Sequence, residues 1–174
     1  AALLTLNPGP YTVQVRGGAG ETSGVALVEV YDAQDNLGSG RLLNIATRAF
    51  VGTGGDLLIT GIVVQGDAPK TVLVRAVGPG LTPFGVGGVL ANPRLRIFRG
   101  NDPIGENNGW DEGGTAAAGR ISAAATKAGA FALAPGSRDS AVLLTLTAGA
   151  YSAQVSGADG GTGVALVEVY EIPD

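Results

Sequence analysis

Seven consecutive residues, Glu106-Asn107-Asn108-Gly109-Trp110-Asp111-Glu112, gather three carboxylates, two carboxamides and the one tryptophan of the chain. Calcium takes about six to eight hard oxygen ligands, and Glu106, Asn107, Asn108, Asp111 and Glu112 could supply several of them. The spacing departs from that of an EF-hand, and two adjacent carboxylates do not dehydrate the ion unaided. The competing reading is a polar turn in which Asn and Asp side chains bond their own backbone. Trp110 could stack on a sugar ring, but a lone tryptophan more often closes the end of a core with its indole N–H satisfied.

No catalytic constellation accompanies this loop. Asp102, Glu106, Asp111 and Glu112 could offer an acid/base pair for glycoside hydrolysis, yet they crowd one short segment. Ser137, Arg138, Asp139 and Ser140 have no histidine to activate a hydroxyl, because the chain contains none. Cysteine is absent too, so there is neither a disulfide framework nor a thiolate site. Gly52-Thr53-Gly54-Gly55 and Gly78-Pro79-Gly80 are not followed by Lys-Ser/Thr or by a helical pattern, and they read as turns rather than phosphate cradles. The expectation is a protein that is not an enzyme and needs no cofactor, calcium being the one ion the loop suggests. Arg75, Glu29 and Glu168 interrupt apolar runs and must face solvent or be paired; a buried Arg–Glu pair between sheets and exposure at a sheet edge are both open.

The elements that position these residues follow from composition and periodicity. Hydrophobic residues make up 45% of the chain, whereas aromatics are only 5%, so a core of Val, Leu, Ile and Ala is implied. The 30 glycines and 9 prolines punctuate it as many short strands require. Charged residues are 15%, with a net charge of −4 and a pI near 4.7, which argues against nucleic acid or an anionic membrane as a partner. No stretch approaches the roughly 18 apolar residues of a membrane span. Methionine is absent, so residue 1 is not a translational start and the chain is expected to be a processed product or a fragment.

Alternation and β-branched enrichment predict strands near 2–6, 11–16, 24–31, 42–46, 56–64, 71–77, 94–98, 131–133, 140–146, 151–156 and 163–171. One alanine-rich helix is predicted over 115–128, with Thr115 as N-cap and Gly129 just past its end. The fold class expected is an all-β antiparallel sandwich, Greek-key or jelly-roll-like, with that single short helix near 115–128. The nearly continuous apolar runs Val25–Tyr31 and Val164–Tyr170 belong in the middle of a sheet.

The two runs are the same sequence, and they are part of a longer repeat. Leu3-Leu4-Thr5-Leu6 recurs as Leu143-Leu144-Thr145-Leu146, an offset of 140 residues, and Val25–Tyr31 as Val164–Tyr170, an offset of 139. A period that long suits a whole domain in a tandem array. Residues 1–32 then read as the terminal strands of a preceding repeat and 33–174 as a complete one, with Asp32–Gly40 as linker. Three strands are too few to bury their own apolar face. Leu4, Leu6, Tyr11, Val13, Val25, Leu27, Val28 and Val30 are therefore the candidate assembly residues, completing a sandwich in a neighbour or folding back on 33–174.

Phe50-Val51-Gly52-Thr53-Gly54, Lys70 through Gly80, Gly129-Ala130-Phe131-Ala132-Leu133 and Gly163 through Tyr170 resemble a tandem β-sandwich repeat module of large secreted or surface proteins of environmental bacteria. Over 94–171, Leu95-Arg96-Ile97-Phe98, Asn107-Asn108-Gly109-Trp110-Asp111, Leu146 and Gly149-Ala150-Tyr151 through Val155 are similar to bacterial pre-peptidase C-terminal domains. These resemblances imply a secreted, extracellular or cell-surface β-sandwich, and the second implies calcium or polymer binding. The function expected is a non-catalytic structural module that assembles with identical or neighbouring repeats, as a homopolymeric filament or matrix formed by strand complementation. The alternative is a calcium-dependent module that binds polysaccharide or protein.

Overall fold

The structure, a computed structural model, describes residues 2–18, 20, 24–32 and 42–173. The chain divides into two units, 1–42 and 43–174. In the second, β1 (Asn44–Val51), β8 (Gly163–Glu171), β3 (Lys70–Val77) and β6 (Ser140–Leu146) form one antiparallel sheet in that order. The other sheet runs β2 (Leu58–Val64), β7 (Gly149–Gly157), β4 (Pro93–Arg99) and β5 (Asp102–Asn107). The orders 1-8-3-6 and 2-7-4-5 are those of an eight-stranded jelly roll, the fold class expected from the sequence. The one α-helix among the described residues, α1 (Thr115–Lys127), lies in the connection from β5 to β6.

Period-two patterning sets the inner faces. Along β2, Leu58, Thr60, Ile62 and Val64 are buried, whereas Ile59, Gly61 and Val63 are exposed. Val72, Val74 and Ala76 of β3 meet Leu95, Ile97, Tyr151, Val155, Val167 and Val169 between the sheets. The alternate residues of β3 are buried as well, from the other side. Leu73 and Val77 pack with Trp110, Leu133, Tyr170 and the α1 residues Ile121, Ala124 and Ala125. A strand covered on both faces reads as a continuous apolar run, which is why β3 and the equally central β8 do not alternate.

Several local expectations are corrected. The first strand begins at Asn44 and runs to Val51, later than 42–46, because its extent is set by eight ladder pairs with β8 rather than by its own hydropathy. β5 went unpredicted: Asp-Pro-Ile-Gly-Glu-Asn has little β propensity, and its pairing with β4 makes it a strand. Residues 131–133 form no strand. Gly114, not Thr115, holds the N-cap position of α1, with no side-chain cap, while Gly129 follows the end of the helix at φ 72° as expected. Gly78-Pro79-Gly80 opens a 3-10 turn over Pro79–Phe84.

Within residues 2–32 no strand is assigned among the described residues. The topology of the domain explains this. Their sequence counterparts are β6, β7 and β8, and none of these pairs with another of the three: β6 pairs with β3, β7 with β2 and β4, and β8 with β1 and β3. The three segments alone therefore hold no ladder. The linker expected at 32–40 falls, past residue 32, outside the described residues.

Gly78 marks the tightest backbone approach in this frame. A Cβ there would lie 2.0 Å from the Leu90 carbonyl oxygen, whereas one on Gly61 would meet nothing within 4 Å. Gly78→Ala should therefore destabilise the domain by about 2–3 kcal/mol or more, and Gly61→Ala by less than about 0.5 kcal/mol. Denaturant midpoints of the two variants check this, with unchanged slopes expected for both.

Candidate functional site

The 106–112 segment is a brace. The Glu106 carboxylate receives Arg94 Nε at 2.7 Å and Nη2 at 2.6 Å, with Arg96 Nε at 3.5 Å. Asn107 Oδ1 accepts from the Ala141 N–H at 3.0 Å and its Nδ2 donates to the Gly109 carbonyl, tying the end of β5 to β6. Asp111 Oδ2 accepts from the Gly136 N–H at 2.7 Å. Asn108 and Glu112 are exposed. Among the described residues no group of three or more Asp, Glu, His or Cys is placed to hold a metal ion. Trp110 is buried, its indole N–H donating to the Ala134 carbonyl at 3.0 Å, so it closes the second core.

Asp139, dismissed in the sequence for want of a histidine, is fully buried and organises the neighbouring turn. Its carboxylate accepts from the N–H groups of Gly78 and Gly80 and from the Ser137 hydroxyl, and its carbonyl accepts from the Trp110 N–H. Nothing in the local sequence signals this role, because the glycine amides its carboxylate holds lie about sixty residues away in the chain.

Arg75 is the largest side chain withdrawn completely from solvent. Its partner Glu168 stands opposite it in the β3–β8 ladder, so the pair lies within one sheet, on the face that α1 and the 131–133 segment cover. This corrects the expectation of a pair between sheets or at an exposed edge. Nε and Nη2 both donate to Glu168 Oε2, the former at 2.9 Å, and Nη1 donates to the Phe131 carbonyl at 2.6 Å. The guanidinium also stacks 4.4 Å from the centre of the Phe131 ring. Glu168 Oε1 accepts from the Tyr170 hydroxyl at 2.6 Å. Burial first, then the hydrogen bond to Glu168 and its charge, push the Tyr170 phenol well above its ordinary pKa of 10.0.

The assembly candidates behave in the opposite way. Leu4, Leu6, Tyr11, Val13, Val25, Leu27, Val28 and Val30 are all exposed, Val25 by 101% and Leu27 by 83%. Among their counterparts, Leu146, Tyr151, Ala153, Val167 and Val169 are buried in the jelly roll. Local geometry is nevertheless shared. Tyr11 donates to the Asn7 carbonyl as Tyr151 does to that of Thr147, and Tyr31 donates to Glu29 as Tyr170 does to Glu168. The Tyr31 phenol is likewise raised, by its hydrogen bond to Glu29 above all.

Removing one partner of the buried pair leaves an uncompensated charge, so Arg75→Ala should cost about 3–5 kcal/mol, while Arg75→Met with Glu168→Leu should cost far less. Urea unfolding of the single and double variants measures the difference. The raised Tyr170 pKa stabilises the fold fully below the ordinary value of 10.0 and progressively less as the pH rises beyond it. Unfolding free energy should accordingly fall above about pH 10, and Tyr170→Phe should remove that share of the slope.

Comparison with known proteins gives little kinship in sequence. No family model matches the chain, and no curated protein matches it. A solved structure similar to it is the pre-peptidase C-terminal domain of a collagenase from Bacillus anthracis, at 13% identity and a TM-score of 0.42, over 73% of this chain and 89% of that one.

Proposed function

We infer that the chain is a non-catalytic structural module of a secreted or cell-surface protein, and that it joins neighbouring modules through residues 2–31. One observation carries this reading: the segment exposes the apolar side chains whose counterparts in the 43–174 domain form the core. Each Val, Leu or Tyr so buried would contribute about 1.5–3 kcal/mol, enough in combination for a durable joint. The lack of Cys and Met and the low charge suit an extracellular setting. A tandem array, matrix or filament is the form such a joint would build, and no helix among the described residues is long and apolar enough to cross a membrane.

Leu27→Asp with Val30→Asp tests the joint. The wild-type chain should associate in a concentration-dependent manner in light scattering. The variant should not, while its melting temperature stays unchanged because the jelly roll is untouched. A wild-type chain that is monomeric at every concentration would remove residues 2–31 from the joint.

A second reading, a calcium-dependent polysaccharide- or protein-binding module, rests on the exposed Asn108 and Glu112 beside Asp111. It separates from the brace in one measurement. A metal bound only by the folded state adds about 2.7 kcal/mol at a hundredfold excess over Kd. The brace predicts a melting curve unmoved by millimolar calcium, with Asp111→Ala destabilising equally with and without it because the Gly136 N–H loses its acceptor.

A further inference from the structure

Residues 2–31 repeat the part of the domain made by β6, β7 and β8, almost side chain for side chain. Leu6, Tyr11, Val15, Ala26, Val28 and Val30 stand where Leu146, Tyr151, Val155, Ala165, Val167 and Val169 are buried. The Tyr11–Asn7 and Tyr31–Glu29 hydrogen bonds already have the form their counterparts take in the domain. Every strand that pairs with β6, β7 or β8 comes from β1–β4, and β5 completes that frame. Glu29 repeats Glu168, whose carboxylate is held in the domain by Arg75 of β3.

We propose that residues 2–31 are a docking segment whose receptor is an open β1–β5 frame in a second module of this kind, with an arginine at the place of Arg75 to receive Glu29. The assignment rests on the structural reading above and names its partner. Complete copies of this chain take it up only by exchange, since its 174 residues hold two β6–β8 sequences and one β1–β5 frame, so their association is confined to high concentration. Exchange between such copies replaces one docked segment by another and leaves one over on every chain. The carboxylate also fixes register. Side chains alternate between faces, so a slip of one residue would carry Glu29 into the core between the sheets and set Val28 against the arginine.

Refolding the full chain from denaturant, in molar excess of a fluorescent peptide of residues 2–32, lets the peptide compete with residues 140–171 for the frame. The labelled peptide should co-elute with the folded chain at least about tenfold more than one carrying Val28→Asp, because a buried unpaired carboxylate costs more than a factor of ten in affinity. Glu29→Ala makes the peptide more apolar, so adventitious sticking would raise its retention, whereas loss of the arginine contact lowers it. Prolonged incubation near the unfolding midpoint reads the same exchange without prior denaturation. Retention equal to that of the Val28→Asp peptide, or raised by Glu29→Ala, overturns the proposal. If wild-type chains still associate through Leu27 and Val30 in that event, the joint stands and only its receptor is wrong.

Discussion

A charged pair on the outer face of two central strands imposes much of this architecture. Arg75 and Glu168 sit side by side in the β3–β8 ladder, and withdrawn from water they need every donor and acceptor matched. Glu168 fills two of the guanidinium's demands, the Phe131 carbonyl a third, and the Tyr170 hydroxyl completes the carboxylate. Holding Phe131 in place requires the segment that follows α1, and α1 in turn presents Ile121, Ala124 and Ala125 to the same face. The helix and its connections form a lid over one sheet, and the ion pair lies beneath that lid. On the opposite sheet, which no helix among the described residues covers, the outward residues Ile59 and Val63 stay exposed.

The parts of the fold that were legible in sequence are those whose burial is written in their own residues. β3 and β8 show apolar runs broken only by Arg75 and by Glu168 because both faces are covered, and the alanines of α1 announce a helix that packs closely on a sheet. The parts that were not legible depend on partners far away in the chain. β5 is a strand only because β4 lies beside it, and β1 takes its limits from β8. Asp139 looks like an idle polar residue until the Gly78 and Gly80 amides are brought to it. The 106–112 loop was singled out for good reason, since its side chains are polar or aromatic, but Asn107 and Asp111 bond backbone groups, and Glu106 bonds Arg94 and lies in ion-pair range of Arg96.

The repeat gains its meaning from the topology. In a meander, a copied run of three strands could pair with itself and hold a small sheet. In a jelly roll the last three strands are dealt to places separated by earlier ones, with β3 between β6 and β8, and β7 in the other sheet. A copy of that run carries the surface of a core without the means to close it. The same interleaving makes the pairings long-range in sequence, apart from the β4–β5 hairpin, so closure of the domain must await its C-terminal third.

The ladder between the first and last strands has a mechanical corollary. β1 and β8 are antiparallel, and Asn44 at the start of one faces Tyr170 near the end of the other. Tension applied through the backbone at the two ends of the domain therefore enters at the same end of the ladder. The load falls on one rung at a time, so the two strands peel apart in sequence and never resist as eight rungs in shear. In a string of such domains under pull, each would yield early and lengthen the string, an extensible element more than a rigid strut.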